Sequence, residues 1–130
     1  MSAEFDKVKG FLHDLNLPID EESEAEELVV VSDEERGVHH LVIDCEDPIL
    51  ILEQSIMPAP KKVGDLYRRL LEMNRDLIHG AFVLDIESGS ILFRDTLRLD
   101  TLDRAELEGS INALGLALAE NAEELLSYTR

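Results

Sequence analysis

Residues 41–53 read LVIDCEDPILILE, and this stretch decides the fold. Two apolar runs flank the turn Cys45-Glu46-Asp47-Pro48, which predicts a β-hairpin with strands Val38 to Asp44 and Ile49 to Met57. The second strand starts with four apolar residues in a row, at positions 49–52. Because alternate residues of a strand face opposite sides of a sheet, we expect this strand to be covered on both sides over that part of its length.

A helix and a further strand precede this hairpin. Ser2 is placed to cap a helix with apolar residues at helical spacing, which Asn16 and Pro18 close. Leu28 to Ser32 is a short, β-branched strand. Between them, Asp20 to Glu27 holds six acidic residues in eight. Since like charges repel each other, this stretch is expected to be an extended, solvated loop.

Two helices and a second hairpin follow the central one. After Pro60, the apolar residues from Val63 to Leu77 recur at helical spacing. Ala81 to Ile86 and Ser90 to Leu99 form a hairpin. Asp103, with Glu106 three residues later, then resembles a capping box and starts a last helix, in which close packing against the sheet would offset the cost of its glycines.

The predicted order of elements is therefore α-β-β-β-α-β-β-α. All hairpin connections are short, which favours a twisted, largely antiparallel sheet packed against helices, an α+β fold. A chain of 130 residues without a repeat or a low-complexity linker fits one domain over residues 1–130.

The net charge of −17 narrows the range of partners. Residues 1–60 hold 16 acidic and three basic residues, so most of the negative charge lies there. Such a surface repels phosphate backbones and anionic lipids, so we expect no nucleic acid and no membrane as partner. The acidity either serves solubility alone or attracts a basic polypeptide. The start of the chain lacks the pattern of a signal peptide, and its single cysteine suits a reducing compartment, so a cytoplasmic location is expected.

No catalytic pattern stands out, and no cofactor is expected. The chain lacks a phosphate-binding glycine loop and a nucleophile turn. His39 and His40 are adjacent on a predicted strand, so their rings are expected to point to opposite faces. A metal site would need one of them together with Cys45, Asp44 or Asp47, a set without recognised spacing. An unrecognised, metal-assisted enzyme is thus a minor alternative, and Cys45 is read as a passive residue near a strand end.

Two groups of side chains are candidates for a protein interface. The second helix carries a cluster of basic residues in an otherwise acidic chain, which indicates either a solvated helix face or contact with an acidic surface, such as the first half of a second copy. The outward side of the last strand mixes arginine with apolar groups, as interfaces do, although an exposed sheet face has the same composition. The candidate interface residues are Tyr67, Arg68, Leu71, Leu92, Arg94, Thr96 and Arg98.

Several strings in this order resemble one known family. Residues 11–17 (FLHDLNL), the hairpin of residues 41–53, residues 70–74 (LLEMN) and the hairpin containing GAFVLD and SILFR are similar to the corresponding parts of type III secretion chaperones of the Tir-chaperone (CesT-like) family. They are also similar to the YbjN-type domains that share this fold. These are patterns of apolar spacing and cover most of the chain.

The resemblance implies a small, acidic, non-enzymatic protein-binding domain. As a homodimer, such a protein holds a non-globular segment of another protein on apolar patches and has no catalytic residues. The alternative is a YbjN-type regulatory or sensory interaction module without a role in secretion.

Overall fold

The computed structural model describes residues 2–130, and within this range six strands form a single antiparallel sheet accompanied by three helices. The sheet has the strand order β1-β2-β3-β4-β6-β5. The elements are α1 (Ala3–Asp14), β1 (Ile19–Ser23), β2 (Leu28–Asp33), β3 (Val38–Glu46), β4 (Ile49–Pro58), α2 (Leu66–Asn74), β5 (Ala81–Leu84), β6 (Ser90–Arg98) and α3 (Arg104–Ser127). This architecture confirms the predicted α+β class.

The predicted central hairpin is confirmed as β3–β4, in the middle of the sheet. Ile43 lies opposite Leu52 and Cys45 opposite Leu50. On its other side, β4 pairs with β6 along nine residue pairs, from Ile49 to Pro58. The sequence therefore predicted the strands that organise the sheet.

The pairing register assigns every strand residue to one of two faces, since residues directly opposite each other in antiparallel strands share a face. Leu50 and Leu52 lie on one face with the β6 residues Asp95 and Phe93. On this helix-covered face, α1 contributes three side chains without solvent exposure, Phe5, Val8 and Leu12, to the core. The hydroxyl of Ser110 on α3 donates a hydrogen bond of 2.7 Å to Asp95. None of the helices within residues 2–130 is long and apolar enough to cross a bilayer.

The alternate residues form a second face, which we call the open sheet face. It includes Leu28, Val30, Val42, Asp44, Glu46, Ile49, Ile51, Glu53, Ser55, Leu92, Arg94, Thr96 and Arg98. Ile49 and Ile51 are only half-buried, whereas Leu50 and Leu52 are fully buried. The expectation that the start of β4 is covered on both sides is therefore wrong for the protomer, because the helices cover one face only.

The acidic stretch Asp20 to Glu27 is not a loop throughout, so that prediction is wrong. Its first half belongs to β1, in which Glu22 lies opposite Val29 and Ser23 opposite Leu28 of β2. β1 is an edge strand, so its backbone bonds to β2 while its acidic side chains stay in water, a composition that blocks unwanted strand pairing. The chain thus has one strand more than predicted, in the order α-β-β-β-β-α-β-β-α.

The second helix is shorter than its apolar stripe suggested. It starts at Leu66 because Gly64 adopts a positive φ of 54°, and Val63 and Leu77 pack against the core from outside it. Its last residue, Asn74, bonds to the outer edge of β5: Nδ2 donates to the carbonyl of Phe82 at 3.1 Å, and Oδ1 accepts from the N–H of Phe82 at 2.8 Å. This pair of bonds covers part of the second sheet edge.

The last helix begins as predicted. Asp103 is the N-cap and accepts a hydrogen bond of 2.7 Å from the backbone N–H of Glu106. Half-way along α3, Gly115 lies directly against the turn that joins β2 to β3: a Cβ added there would stand 2.3 Å from the carbonyl oxygen of Arg36. The glycine at this position therefore permits close packing, but against the turn and not, as expected, against the sheet.

Candidate protein-binding site

The open sheet face combines an apolar patch with charged side chains. The patch is formed by half-buried aliphatic side chains from three adjacent strands, Leu28, Val30, Val42, Ile49 and Ile51, and Asp44 lies within it, opposite Leu28 and Ile51. Asp44 and Glu53 supply negative charge on β3 and β4, and Arg94 and Arg98 supply positive charge on β6. Such a surface offers area for hydrophobic contact and a fixed direction for charge pairing.

The two arginines of this face form solvent-exposed ion pairs with neighbouring carboxylates. Arg94 Nε stands 3.8 Å from Glu53, across the β4–β6 pair. Arg98 makes two bonds to Asp100, at 3.1 and 2.8 Å, and this guanidinium lowers the pKa of Asp100. Ion pairs this exposed contribute about 0–1 kcal/mol, so a carboxylate of a bound protein can replace the present partner at little cost.

Asp44 is the most perturbed acid of the face. One of its carboxylate oxygens, Oδ1, is buried and has no hydrogen-bond partner within residues 2–130. Burial, together with the negative charge of Glu46, raises the pKa of Asp44 to about 6. An anionic group in this position is costly in the free protomer and would gain from a cationic or hydrogen-donating group of a bound protein.

Replacement of Asp44 by asparagine tests this description. The folded state binds the proton of Asp44 more tightly than the unfolded chain, whose aspartates have a pKa near 3.9, so the native stability falls as the pH rises from about 4 to about 6. We expect D44N to increase the free energy of unfolding by roughly 1–2 kcal/mol near pH 7.5, after allowing for solvent screening, and to leave it unchanged near pH 4. Urea unfolding at both pH values measures the difference.

The control for that experiment is Asp20→Asn, which removes the same charge from the exposed edge strand β1. If D20N and D44N change stability equally at both pH values, the effect comes from net charge and not from the environment of Asp44.

A groove of about 400 Å³ continues the open sheet face towards the end of the β5–β6 hairpin. It is lined by Glu53, Val83, Ile86, Leu92 and Arg94, among others. Ile86 is 91% exposed, an unusual state for isoleucine in a turn. Of the predicted interface residues, Leu92 and Arg94 thus face a concave surface as well as a flat one.

The predicted residues of α2 form a second group. Tyr67 and Leu71 are exposed, Leu71 to 72% of its surface, and Arg68 lies between them. Ile78, in the turn after the helix, is 81% exposed and extends the apolar surface. The other side of the helix is fixed by Arg69, which makes two hydrogen bonds to Glu124 of α3 at 2.6 and 2.9 Å.

The structure brings four of the seven predicted residues together and separates them from the other three. Leu92, Arg94, Thr96 and Arg98 share the open sheet face, as the predicted alternation of the strand required. The α2 group lies beyond them, with β5 between α2 and β6. A partner that uses both groups must therefore extend past the β5 edge.

The histidine pair differs from its prediction. The rings of His39 and His40 do not point to opposite faces but stack, with centroids 4.2 Å apart. His40 has a positive φ of 51° next to an irregularity in the β2–β3 pairing, and this rotation breaks the alternation of the strand. Within residues 2–130, no group of three or more His, Cys, Asp and Glu residues is arranged to hold a metal ion. Cys45 is buried near the end of β3, and burial raises its pKa to about 11.

The structure is that of an α+β protein in which helices cover one face of an antiparallel sheet and leave the other face open. This is the architecture of secretion chaperones. The chain belongs to the CesT_Tir_1 family, whose model matches residues 1–130. No curated protein sequence matches the chain.

Several solved structures share the fold. YbjN from E. coli, described as a putative transcription regulator, is 15% identical with a TM-score of 0.74, and the match covers 93% of this chain and 92% of YbjN. A chain of the HopA1–SchA chaperone–effector complex is 16% identical with a TM-score of 0.63, with 84% of each chain covered. An uncharacterised protein from Methanothermobacter thermautotrophicus is 17% identical with a TM-score of 0.65, with 95% of this chain and 97% of that chain covered.

Proposed function

We propose that this chain is a non-enzymatic, cytoplasmic protein-binding domain that holds a non-globular segment of another protein and acts as a homodimer. The observation that carries the proposal is the open sheet face, where an apolar patch adjoins carboxylates and guanidinium groups and which no element within residues 2–130 covers. Family membership supports it, as does the shared fold with a chain of a complex between a chaperone and its effector.

An extended segment suits this surface better than a small ligand does. The half-buried aliphatic side chains are spread over several strands and do not enclose a deep cavity, so only a long partner can cover them. A segment with apolar residues over Val42 and Ile51 can place a basic group near Asp44 and an acidic group near Arg94 or Arg98. Tyr67, Arg68 and Leu71 then provide a second contact where the segment passes the β5 edge.

The first test uses the captured partner and the variant Arg94→Glu with Arg98→Glu. Reversal of both charges is expected to weaken binding of the partner at least tenfold, because carboxylates would then replace the only two guanidinium groups of the named open sheet face. The partner is captured from the protein's own cells and identified, and its affinity for both forms is measured by calorimetry.

A control variant, Arg75→Glu with Arg104→Glu, changes the net charge equally at exposed positions outside both groups. Partner binding that is equally strong for R94E/R98E and for the control would contradict the assignment of the open sheet face.

The similarity to YbjN supports a second candidate function, a regulatory or sensory interaction module with no role in secretion. The two candidates differ in the state of the partner. A chaperone-like domain protects a segment of the partner that proteases cleave when the partner is alone, whereas a regulatory module binds a partner that is already folded. Limited proteolysis of the captured partner, with and without this protein, distinguishes them.

A further inference from the structure

A continuous groove runs along one side of α3, on the side of the molecule formed by the helices. Three cavities compose it. The cavity beside Glu34 and the middle cavity share the lining residues Leu118 and Ala122, and the middle cavity and the cavity beside Lys61 share Met57 and Thr129. From Asn112 to its end at Ser127 the helix covers roughly 23 Å at 1.5 Å per residue. This length is enough for a whole helix to lie in the groove.

The middle of the groove is apolar. Its cavity of about 250 Å³ is lined by Ile56, Met57, Leu118, Ala122, Leu125, Leu126 and Thr129. Along its rim, α3 exposes a stripe of four residues at helical spacing, Leu116, Ala119, Ala122 and Leu126. The two leucines of this α3 stripe are 53% and 54% exposed, although the opposite side of the same helix is fully buried in the core. An apolar surface on both sides of one helix indicates that the outer side also has a partner.

The two ends of the groove carry opposite charges. Glu34 and Glu35, in the turn between β2 and β3, lie at the end near Leu116, and Arg36 beside them is bound to Asp33 and to the carbonyl of Leu15. Lys61, Lys62 and Arg130 lie at the end beyond Leu126. In a chain with a net charge of −17, three basic residues at one place are unusual, and the acidic residues are positioned at the far end of the same groove.

We infer that the α3 groove binds a second copy of this chain, with the two α3 helices antiparallel around a twofold axis. This inference rests on the proposed function and identifies the surface of its homodimer. A twofold axis places the acidic end of each groove against the basic end of the other, so one surface complements itself at both ends. The open sheet faces stay free for the partner protein.

The two leucines of the α3 stripe fit the same symmetry. In an antiparallel pair centred on residue 121, Leu116 lies level with Leu126 of the partner subunit. The stripe is spaced by 3, 3 and 4 residues, so the alanines do not face each other. Ala119 lies level with the partner's Glu123, which is on the same side of the helix, and Ala122 lies level with the partner's Glu120.

A second copy accounts for these observations better than another protein does. A different protein would need a helix that carries basic residues at one end and acidic residues at the other, in register with an apolar stripe. The chain itself already has this distribution, and every copy presents it at the same concentration. The charges then fix the antiparallel direction, and the apolar stripe provides the buried area.

The first experiment measures the mass of the full chain in solution by light scattering and its dimer dissociation constant by sedimentation. Leu116→Glu with Leu126→Glu is expected to weaken the dimer at least tenfold, with unchanged circular dichroism because both side chains are largely exposed in the protomer. Leu71→Glu is the matched control, since this leucine is even more exposed but lies on α2. A dimer that withstands the α3 substitutions, or that L71E disrupts equally, would overturn the inference.

The second experiment tests the pairing of the ends by charge reversal. Glu34→Lys with Glu35→Lys, and separately Lys61→Glu with Lys62→Glu, should each weaken the homodimer tenfold or more, because each creates repulsion at both ends. A mixture of the two variants should form a heterodimer as stable as the wild-type dimer, since both ends are then attractive. Native mass spectrometry counts the species. No preference for the heterodimer would refute the twofold arrangement.

The outcomes separate this inference from the proposed function. If the variant L116E/L126E is monomeric yet still binds the captured partner, the dimer surface is established and the sheet face acts independently. If the wild-type chain is monomeric and L116E/L126E loses the partner, the groove holds the partner and the inference is wrong, while protein binding stands. Raised salt should weaken the wild-type dimer, because the end pairs are exposed to solvent.

Discussion

Replacing Gly115 by alanine is expected to lower the free energy of unfolding by about 1–3 kcal/mol. The added Cβ would stand 2.3 Å from the carbonyl oxygen and 3.4 Å from the carbonyl carbon of Arg36. These are backbone atoms, which cannot rotate away as the end of a flexible side chain can. Helix propensity alone predicts the opposite sign, because alanine is favoured over glycine in a helix by up to about 1 kcal/mol.

Gly109→Ala provides the matched control, since it is the same substitution six residues earlier in α3. Its nearest neighbour would be Nε2 of His79 at 3.9 Å, an ordinary contact. G109A should therefore raise the free energy of unfolding by roughly 0.5–1 kcal/mol. Guanidinium-induced unfolding of both variants measures the effects. If the two substitutions shift stability in the same direction, the close approach of α3 to the turn is not what decides the identity of residue 115.

The contact between Gly115 and Arg36 also positions the end of the α3 groove that carries Glu34 and Glu35. Arg36 is held by several groups besides Gly115: Nη2 donates to the carbonyl of Leu15 at 2.9 Å, and Nε stands 3.4 Å from Asp33. Glu34 and Glu35 precede it in the same turn, so the fit of Gly115 keeps both carboxylates beside the helix. We therefore expect G115A to weaken the dimer as well as the protomer.

Local patterns in the sequence were sufficient to predict most of the fold. The run of β-branched and leucine residues about the Asp47-Pro48 turn predicted β3 and β4, and the capping residues Ser2 and Asp103 predicted where two helices start. These signals lie within a few residues of each other, so no knowledge of tertiary contacts is needed to interpret them. The alternation along β6 likewise predicted which of its side chains point outward.

The features that could not be predicted depend on contacts between distant residues. The acidic residues of β1 have poor strand propensity, and only the neighbouring edge of β2 makes this segment a strand. The ring stacking of His39 and His40 follows from a positive φ, which no residue type in that segment signals. The outward apolar surface of α3 was not predicted, because helical spacing alone does not tell which apolar residues of a helix the rest of the protomer covers.

The apolar patch of the open sheet face was visible in the sequence but was interpreted differently. Four consecutive apolar residues at the start of β4 show that both faces of the strand are apolar, and we took this to mean that the protomer covers both. The structure places Ile49 and Ile51 on the uncovered face. The same pattern therefore indicates a surface that a partner covers, a distinction that depends on where the helices pack.

Replacing Asn74 by alanine is expected to lower the free energy of unfolding by about 2–3 kcal/mol. The side-chain amide satisfies both backbone groups of Phe82, which point away from β6 at the edge of the sheet. Each half-buried polar group that loses its partner costs about 1–3 kcal/mol, reduced where water can enter. Phe82 is itself buried and makes an edge-to-face contact with Phe93, so the loss reaches the core.

Asn121→Ala is the control, because within residues 2–130 the amide of Asn121 bonds to the carbonyl of Ala117 in its own helix. We expect N121A to stay within about 0.5 kcal/mol of the wild type. Hydrogen exchange adds a local measurement. The Phe82 amide should exchange faster in N74A, whereas the exchange of the β3 and β4 amides should change only as much as the free energy of global unfolding does. Equal stability of N74A and N121A would show that solvent satisfies the β5 edge without the help of α2. The greater loss expected for N74A would mean that this amide fixes the end of α2 to the sheet edge, in addition to the buried side chains of the helix.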